Sequence, residues 1–264
     1  MKRRTFLATG CAMLGAPCIT ASRSFAAEEL ELLAPGTLTS ATEGTYPPYS
    51  FRGEGGNLDG LEMRMMGEIA KRLGLVYEPV VIKWESMLIG LASDQYDIVG
   101  NAMNITEERQ KQVIFCDGWL ESGVQLIVHK ESPIDNHDLK GKRIGAITAS
   151  IYVPMIEEWG GEVVHYKSDM DAMMDAQNGQ IDGLVMDSVA AAYVITKSKL
   201  PMRLVGAPQS PSQLGWAVKK GKPNLVRAIN ATRAEMVADG TVKRLFEDLI
   251  GFDPSPKEPV RSLL

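Results

Sequence analysis

Two charged residues of opposite sign have the types and positions that could hold a zwitterion. Arg109 lies one turn into a short expected helix, and its guanidinium presents a planar fork of donors that matches a carboxylate. Asp187 follows the apolar run at residues 183–186, at the carboxyl end of an expected strand, where ligands of open α/β sheets gather. Each residue also has an ordinary interpretation, since Arg109 could pair with an acid such as Glu107 and Asp187 could cap the next helix. Their place in the rest of the chain favours the binding site.

The elements that must position these residues alternate between strands and helices. Helical spacing of apolar residues at 61–73 is followed by β-rich runs at 76–82 and 97–100, with a short helix at 85–91 between them. A second series has strands at 125–128, 143–147, 162–166 and 183–186, with helices at 150–159, 169–177 and 188–197. A strand at 214–218 precedes two closing helices at 223–239 and 241–249. The alternation predicts an α/β protein with mainly parallel sheets covered on both faces, and the length suits two such units.

The first 26 residues have the pattern of an export signal. Arg3 and Arg4 form a twin-arginine start, and the following apolar stretch is too short for a membrane span and is broken by Pro17. Small residues at 24 and 26 predict cleavage after Ala26. The twin arginines favour the Tat route, with Sec export as the alternative. Because Pro17 directly precedes Cys18, we expect no lipid anchor and a product free in the periplasm.

Charge and cysteine content exclude several classes of partner and site. Removal of residues 1–26 takes away four bases and no acid, which leaves 24 bases against 33 acids and a formal charge of −9. This balance argues against nucleic acid or anionic lipid as a partner. Only Cys116 remains of the three cysteines, so no intrachain disulfide is expected. The three histidines are scattered, and no phosphate loop or dinucleotide fingerprint occurs, so we expect no metal and no cofactor.

Several short motifs occur in the order typical of one family. The chain resembles the family 3 extracellular solute-binding proteins, the periplasmic receptors of polar amino acid ABC transporters, from about residue 38 to residue 252. The motifs are Ala41-Thr42-Glu43-Gly44-Thr45-Tyr46-Pro47-Pro48-Tyr49-Ser50-Phe51, Gly60-Leu61-Glu62, Ile69-Ala70-Lys71-Arg72-Leu73-Gly74, Trp84 to Leu91, Tyr96-Asp97-Ile98, Ile105-Thr106-Glu107-Glu108-Arg109, Asp138-Leu139-Lys140-Gly141-Lys142-Arg143-Ile144-Gly145 and Ala238-Asp239-Gly240-Thr241.

The resemblance implies a two-lobed periplasmic binding protein fold of type II. Two mainly parallel sheets flanked by helices would form two lobes with a ligand cleft between them. Lobe 1 would comprise residues 38–121 and 214–264, and lobe 2 residues 122–213. The crossovers between the lobes would lie near Glu121-Ser122 and Gln213-Leu214.

The resemblance also implies a role for each charged or polar residue at the amino acid head. Arg109 would hold the ligand carboxylate with help from Asn104, and Ser150 would add its hydroxyl and nearby backbone N–H groups at a helix N-terminus. Asp187 would take the α-ammonium group, and Ala102 would offer it a backbone carbonyl. Ser150 could instead be only a helix cap. The family commonly has Gly and two hydroxyl residues where this chain has 149–151 as Ala-Ser-Ile, which predicts a stiffer seat with one polar contact fewer.

Three further residues would surround the ligand side chain by the same resemblance. Tyr46 and Trp84 would clasp it with their rings, and Trp is the best cation–π face. Glu43 would contact the far end of the ligand side chain. The alternatives are that Tyr46 packs the turn, that Trp84 is a core aromatic and that Glu43 is a solvated surface acid.

The expected function is that of a monomeric binding component of an ABC importer, with no catalytic residues. It would close on a polar amino acid or related compound, cationic or zwitterionic, and deliver it to the permease. Arginine, ornithine, lysine and cyclic cationic zwitterions rank above glutamine and histidine, with glutamate and aspartate last, because Glu43 would repel an acidic side chain. One alternative is a periplasmic enzyme on the same fold, similar to cyclohexadienyl dehydratases, with Glu43 as general acid. A sensor domain is a third, less favoured alternative.

Overall fold

The computed structural model describes residues 30–264, so the predicted export signal at residues 1–26 lies outside the described residues. In the described part, strands and helices alternate as the sequence predicts. The strands are β1 (Thr37–Thr42), β2 (Thr45–Tyr46), β3 (Ser50–Arg52), β4 (Leu58–Asp59), β5 (Val76–Val81), β6 (Ile98–Asn104), β7 (Val113–Phe115), β8 (Leu120–His129), β9 (Arg143–Ile147), β10 (Glu162–Tyr166), β11 (Gly183–Asp187) and β12 (Met202–Lys219). The helices are α1 (Leu61–Arg72), α2 (Met87–Ala92), α3 (Glu107–Gln110), α4 (Tyr152–Glu158), α5 (Asp169–Gln177), α6 (Ser188–Ser198), α7 (Pro223–Ala238) and α8 (Thr241–Ile250).

One hydrogen-bonded sheet of nine strands runs through both lobes. Its order is β10-β9-β11-β8-β12-β6-β1-β5, with β7 paired to β12, while β2, β3 and β4 form a small separate sheet. In lobe 1, β5, β1 and β6 are parallel, and in lobe 2, β10, β9 and β11 are parallel. The long strands β8 and β12 are antiparallel to each other and to their outer neighbours β11 and β6. The two predicted parallel sheets are therefore present as two halves joined through β8 and β12, which is the two-lobed α/β fold.

The crossover region is the central part of the β8–β12 pair. Glu121 lies opposite Gln213 and Ser122 opposite Ser212. On the lobe 2 side the register shifts on both sides of Gln209, so the ladder is irregular there. The lobe boundaries that the sequence predicts fall at this pair, and the division of the chain at these residues stays a prediction.

The C-terminal segment from residue 253 to residue 262, which we call the C-terminal strap, lies along the crossover region. The Glu121 amide donates to the Pro254 carbonyl at 2.9 Å, and the Gly118 amide donates to the Val260 carbonyl at 2.9 Å. The Val260 amide in turn donates to the side-chain carbonyl of Gln213 at 2.7 Å. The strap is therefore attached to both crossing strands at the pair that marks the predicted lobe boundary.

The hydrophobic core lies between the sheet and the helices that cover it. All seven residues of β6 are buried, as expected for a strand covered on both faces. Helix α1 covers one face with Leu61, Met65 and Ile69, which are fully buried at the predicted helical spacing. Trp119 stacks between Trp216 and Phe246 at centroid distances of 5.2 and 5.9 Å under the crossover region. No helix between residues 30 and 264 has both the length and the apolar character needed to cross a bilayer.

Several elements begin or end at other residues than the sequence predicts, among them α4 and β12. Helix α4 begins at Tyr152, two residues later than predicted, because Ala149 adopts a left-handed φ of 60° and delays the helical turn. Strand β12 begins at Met202, twelve residues before the predicted strand, although its first part contains two prolines. Those prolines lie where the register shifts, which is where a strand tolerates residues without an N–H.

Candidate functional site

Asp187 is a buried carboxylate with one oxygen already occupied. It ends β11 and caps α6, with Oδ1 accepting hydrogen bonds from the amides of Val189 and Ala190, each at 3.0 Å. The same oxygen accepts a hydrogen bond from the Tyr49 hydroxyl of lobe 1 at 2.6 Å, which joins the two lobes. Oδ2 is buried and has no hydrogen-bond partner in the described part of the chain. The capping role and a ligand role are therefore compatible, because each uses a different oxygen.

Burial dominates the electrostatics of Asp187. Loss of hydration raises the pKa of this carboxyl, while the hydroxyls of Ser122 and Tyr49 and the two α6 amides lower it. A buried carboxylate oxygen without a donor carries a free-energy penalty that a ligand ammonium group would remove.

Arg109 is a half-buried guanidinium without an acidic partner. Its guanidinium carbon lies 5.1 Å from the ring centroid of Trp84, a cation–π distance. Nη1 donates to the backbone carbonyl of Asn104 at 3.0 Å. Among residues 30–264, Arg109 forms no ion pair, so the alternative of a bond to Glu107 is not what the structure has. Burial lowers the pKa of Arg109, as expected for a cation that lacks a matching charge.

Asn104 and Ala102 lie on β6 behind Arg109. The Asn104 carbonyl orients Arg109, and its side-chain amide donates to the Ser212 hydroxyl on β12 at 2.9 Å. Ala102 is buried, and its side chain belongs to the hydrophobic cluster that contains Tyr46 and Tyr49. In this structure Asn104 therefore positions the arginine and ties β6 to β12, and its direct contact with a ligand stays a prediction.

The segment around Ser150 faces Arg109 from lobe 2. A cavity of about 80 Å³ is lined by Trp84 and Arg109 on one side and by Ala149 on the other. The Ser150 hydroxyl accepts a hydrogen bond from the Tyr152 amide at 3.3 Å, but the residue at the N-cap of α4 is Ile151. The N-cap of α4 is therefore Ile151 and not Ser150, while the Ser150 hydroxyl still contacts the first helical amide.

Three tyrosines connect the charged residues across the cleft. The rings of Tyr46 and Tyr49 meet edge to face with centroids 4.9 Å apart, and both side chains are buried. Burial raises the pKa of Tyr152, the charges of Asp187 and Asp169 raise it further, and Arg109 lowers it. Charged residues of both signs therefore act on the Tyr152 hydroxyl.

Glu43 and Asp169 form a second acidic region beside Asp187. Glu43 is 9% exposed, and its carboxylate accepts a hydrogen bond from the Asn101 side-chain amide at 3.4 Å. Burial, followed by repulsion from Asp169, raises the pKa of Glu43 to about 8. Burial and repulsion from Asp187 raise the pKa of Asp169 to about 7, and Asp169 Oδ1 is buried without a partner in the described residues. The solvated-surface alternative for Glu43 does not hold.

The structure therefore brings the predicted residues to one cleft with an unequal charge. Within residues 30–264, Arg109 and the acids Glu43, Asp169 and Asp187 lie at this cleft, and none of the four forms an ion pair. Within residues 30–264, no cluster of three or more histidine, cysteine or acidic side chains is arranged to hold a metal ion. The arrangement can accept a ligand with one carboxylate and more than one positive group, and it can do so when the lobes are closed.

Sequence reasoning missed four cleft residues: Tyr49, Asn101, Tyr152 and Asp169. Asp169 follows strand β10 and begins α5, so the rule that selected Asp187 could have selected it as well. Tyr49 lies in the opening motif, but nothing in the sequence separates its role from that of Tyr46. Tyr152 carried no signal, because its contacts come from both lobes.

The chain is similar to amino acid-binding proteins along most of its length. The family described as bacterial extracellular solute-binding proteins, family 3, matches residues 38–252. The L-cystine-binding protein TcyJ of Escherichia coli K12 is 36% identical over 242 residues, which cover 88% of this chain and 90% of that protein.

Solved structures show the same architecture. An ancestral arginine-binding protein bound to glutamine has a TM-score of 0.77 and 34% identity, covering 83% of this chain and 99% of that chain. The ancestral amino acid-binding protein AncCDT-1, a precursor of cyclohexadienyl dehydratase, has a TM-score of 0.77 and 26% identity, covering 81% and 96%. Because the family match spans most of the described residues, the chain belongs to the bacterial extracellular solute-binding proteins, family 3, and has their two-lobed fold.

Proposed function

We propose that this chain binds an α-amino acid that carries a second positive group and delivers it to an ABC permease. Arg109 would hold the α-carboxylate, Asp187 Oδ2 the α-ammonium, and Glu43 with Asp169 the distal positive group. Asn104 and Ser150 would support the carboxylate, the Ala102 carbonyl would accept from the ammonium, and Tyr46 and Trp84 would cover the side chain.

The observation that carries this proposal is the unmatched charge of the cleft. Arg109 lacks an acidic partner, while Asp187 Oδ2 and Asp169 Oδ1 are buried without donors in the described part of the chain. Burial and repulsion from Asp169 raise the pKa of Glu43 to about 8, and a positive ligand group would relieve this repulsion. A ligand with one carboxylate and two positive groups would satisfy all of these atoms at once. Similar proteins are named for arginine and for L-cystine, and both of these ligands carry such a second group.

Calorimetry on the purified chain without residues 1–26 tests the ligand class. We expect L-arginine, L-ornithine, L-lysine or L-cystine to bind more tightly than L-glutamine and L-histidine, and L-glutamate to bind least. Tight binding of L-glutamate would overturn the assignment of the acidic region. Binding that survives Arg109→Ala unchanged would overturn the assignment of the carboxylate seat.

Closure of the lobes around this ligand is part of the proposal. The hydrogen bond from Tyr49 to Asp187 crosses the cleft, so it must break when the lobes open. X-ray scattering should give a smaller radius of gyration for the protein saturated with ligand than for the empty protein. Identical curves would count against a clamp.

The cellular setting is proposed from the sequence and the family. We propose export to the periplasm on the Tat route, cleavage after Ala26, and work as a monomer. Intact-mass measurement of the exported protein checks the cleavage site, and a lipid on its first residue would refute a free periplasmic product. Light scattering of the purified chain checks the monomer.

A catalytic role has one observation in its favour. Without a ligand, the pKa of Glu43, about 8, keeps this carboxyl protonated at neutral pH, which is the state of a general acid, whereas a bound cationic group would lower this pKa. We nevertheless propose that the chain is not an enzyme, because Arg109 and Asp187 together match an intact α-amino acid. Incubation with a cyclohexadienyl substrate, followed by absorbance of an aromatic product, separates the two functions. Turnover that Glu43→Gln abolishes would establish the enzyme instead.

A further inference from the structure

A second cavity opens beside the acidic region, at the edge of the cleft. It has a volume of about 470 Å³, within the range of small-molecule sites. Glu43 and Lys83 line it from lobe 1, and Lys167, Ser168 and Asp171 line it from lobe 2. Arg109 and Asp187 are not among its lining residues, so this cavity is separate from the seat for the α-amino acid head. Glu43 is the residue that connects the two, because it is buried in the cleft and faces the cavity.

The charges around this cavity have both signs. Lys83 and Lys167 approach from opposite lobes, and within residues 30–264 neither forms an ion pair. Glu43 and Asp171 supply carboxylates, and the Ser168 hydroxyl, which accepts from the Asp171 amide at 3.2 Å, begins α5 at the same place. A simple cationic side chain such as that of arginine needs acids only and would be repelled by the two lysines. A ligand group with both a carboxylate and an ammonium matches the two lysines and the two acids.

We propose that this cavity holds the second amino acid head of a ligand with two such heads, a class to which L-cystine belongs. Lys83 and Lys167 bind the distal carboxylate, and Glu43 with Asp171 binds the distal ammonium. Because the two lysines come from opposite lobes, the distal carboxylate stabilises the closed state by bridging them. This assignment rests on the proposed function, since the first head occupies the seat between Arg109 and Asp187.

The test compares two ligands on two double variants by calorimetry in non-reducing buffer. Lys83→Ala/Lys167→Ala should weaken L-cystine binding about tenfold, the combined effect of two charge pairs made by exposed lysines. The same variant should bind L-arginine as well as the wild type does, or more tightly, because a repulsion is removed. Lys130→Ala/Lys140→Ala removes the same charge from exposed positions outside the cavity and should change neither affinity.

A modified ligand identifies the group that the lysines bind. L-cystine with its distal carboxylate converted to an amide should bind the wild type about tenfold more weakly, and the lysine variant should show no further loss with this ligand. Full additivity of the two changes would overturn the assignment of the carboxylate to the lysines. Equal losses for L-cystine and L-arginine in the lysine variant would overturn the cavity as a distal seat.

The outcomes separate this inference from the proposed function. Tight L-arginine binding with no detectable L-cystine binding would refute the distal seat and leave the proposed function intact. A wild-type protein that binds neither ligand would refute the proposed function itself.

Discussion

The two charges that define the candidate site are held in different ways. Asp187 Oδ1 receives three hydrogen bonds, two from the start of α6 and one from Tyr49, so this carboxylate is fixed by a helix and by the opposite lobe. The Arg109 guanidinium makes one hydrogen bond within residues 30–264, to the Asn104 carbonyl, and otherwise lies against the ring of Trp84. The proposed ammonium seat is therefore preorganised, while the proposed carboxylate seat can shift along an aromatic face.

This difference bears on how one fold accepts several amino acids. An α-ammonium group has nearly the same position in each of them, so a fixed acceptor serves all. The carboxylate moves when the side chain changes the tilt of the ligand, and an arginine on a flat ring can follow it. We therefore expect substitutions of the fixed Asp187 and of the adjustable Arg109 to lower ligand affinity by different amounts.

Asp187→Asn should give the largest loss of binding. The amide oxygen can still cap α6, but the charge disappears from the buried position of Oδ2, and an NH₂ group there would repel an ammonium. Calorimetry with L-arginine should show a loss in the upper part of the range of about 2–5 kcal/mol for a truncated buried charge pair. Asp182→Asn, an exposed change on the same lobe, is the control and should bind normally. Unchanged binding by Asp187→Asn would mean that the fixed end is not the ammonium seat.

Arg109→Ala should cost less, in the lower part of that range of roughly 2–5 kcal/mol, because the arginine is only half-buried and weakly held. The conservative changes sharpen the comparison. Arg109→Lys should recover part of the loss, since a cation on the Trp84 face remains, whereas Asp187→Glu should recover none, because the longer side chain misplaces the cap. The affinities of Arg109→Ala, Arg109→Lys, Asp187→Asn and Asp187→Glu for L-arginine measure this recovery. Equal recovery by Arg109→Lys and Asp187→Glu would contradict the proposed difference between the two charged residues.

The acidic region should make closure of the empty protein depend on pH. Closing the lobes buries Glu43 and Asp169 and raises the pKa of each, to about 8 and about 7, so the closed state binds more protons than the open state. Closure is therefore favoured at low pH and is lost as pH rises from the ordinary carboxyl range through these values, by up to about 1.4 kcal/mol per pH unit for each group. The radius of gyration of the empty protein should rise between pH 5 and pH 9. Glu43→Gln should flatten the rise, and a wild-type curve without any rise would exclude the linkage.

Trp84→Leu should have the smallest effect, about 0.5–1 kcal/mol, the contribution of a partly exposed cation–π contact. The loss should be the same for all α-amino acids, because the ring supports the arginine that they share. A loss confined to cationic ligands would instead place Trp84 against the ligand side chain. Calorimetry with L-arginine and L-glutamine distinguishes these results.

The sequence alone predicted those features of the fold and of the candidate site that depend on local residue patterns. The alternation of elements and the positions of Arg109 and Asp187 follow from periodicity and from the rule that ligands gather at strand ends. The prediction also placed Glu43 near the ligand, but it could not foresee a raised pKa, because that pKa comes from burial and from Asp169 on the other lobe.

What the sequence could not provide depends on contacts between distant segments. Tyr49 and Asp187 are 138 residues apart, and only the closed cleft joins them. The first part of β12 contains Pro208 and Pro211, which read as a loop until its partner β8 is known. Ala149 has a left-handed φ that its residue type does not suggest, and this conformation delays the start of α4.

The C-terminal strap should restrict where the molecule can bend. Two crossing strands alone permit both hinge bending and twisting of one lobe over the other, which is two degrees of freedom. The strap bonds to Glu121 and Gln213, and the ion pair of Arg261 with Asp117 at 2.6 Å anchors it to lobe 1. Because the strap holds Glu121 and Gln213, the axis about which the lobes rotate should lie away from these two residues, near Gln209, where the β8–β12 ladder is irregular. Hinge bending about this axis should then be the one motion left to the lobes.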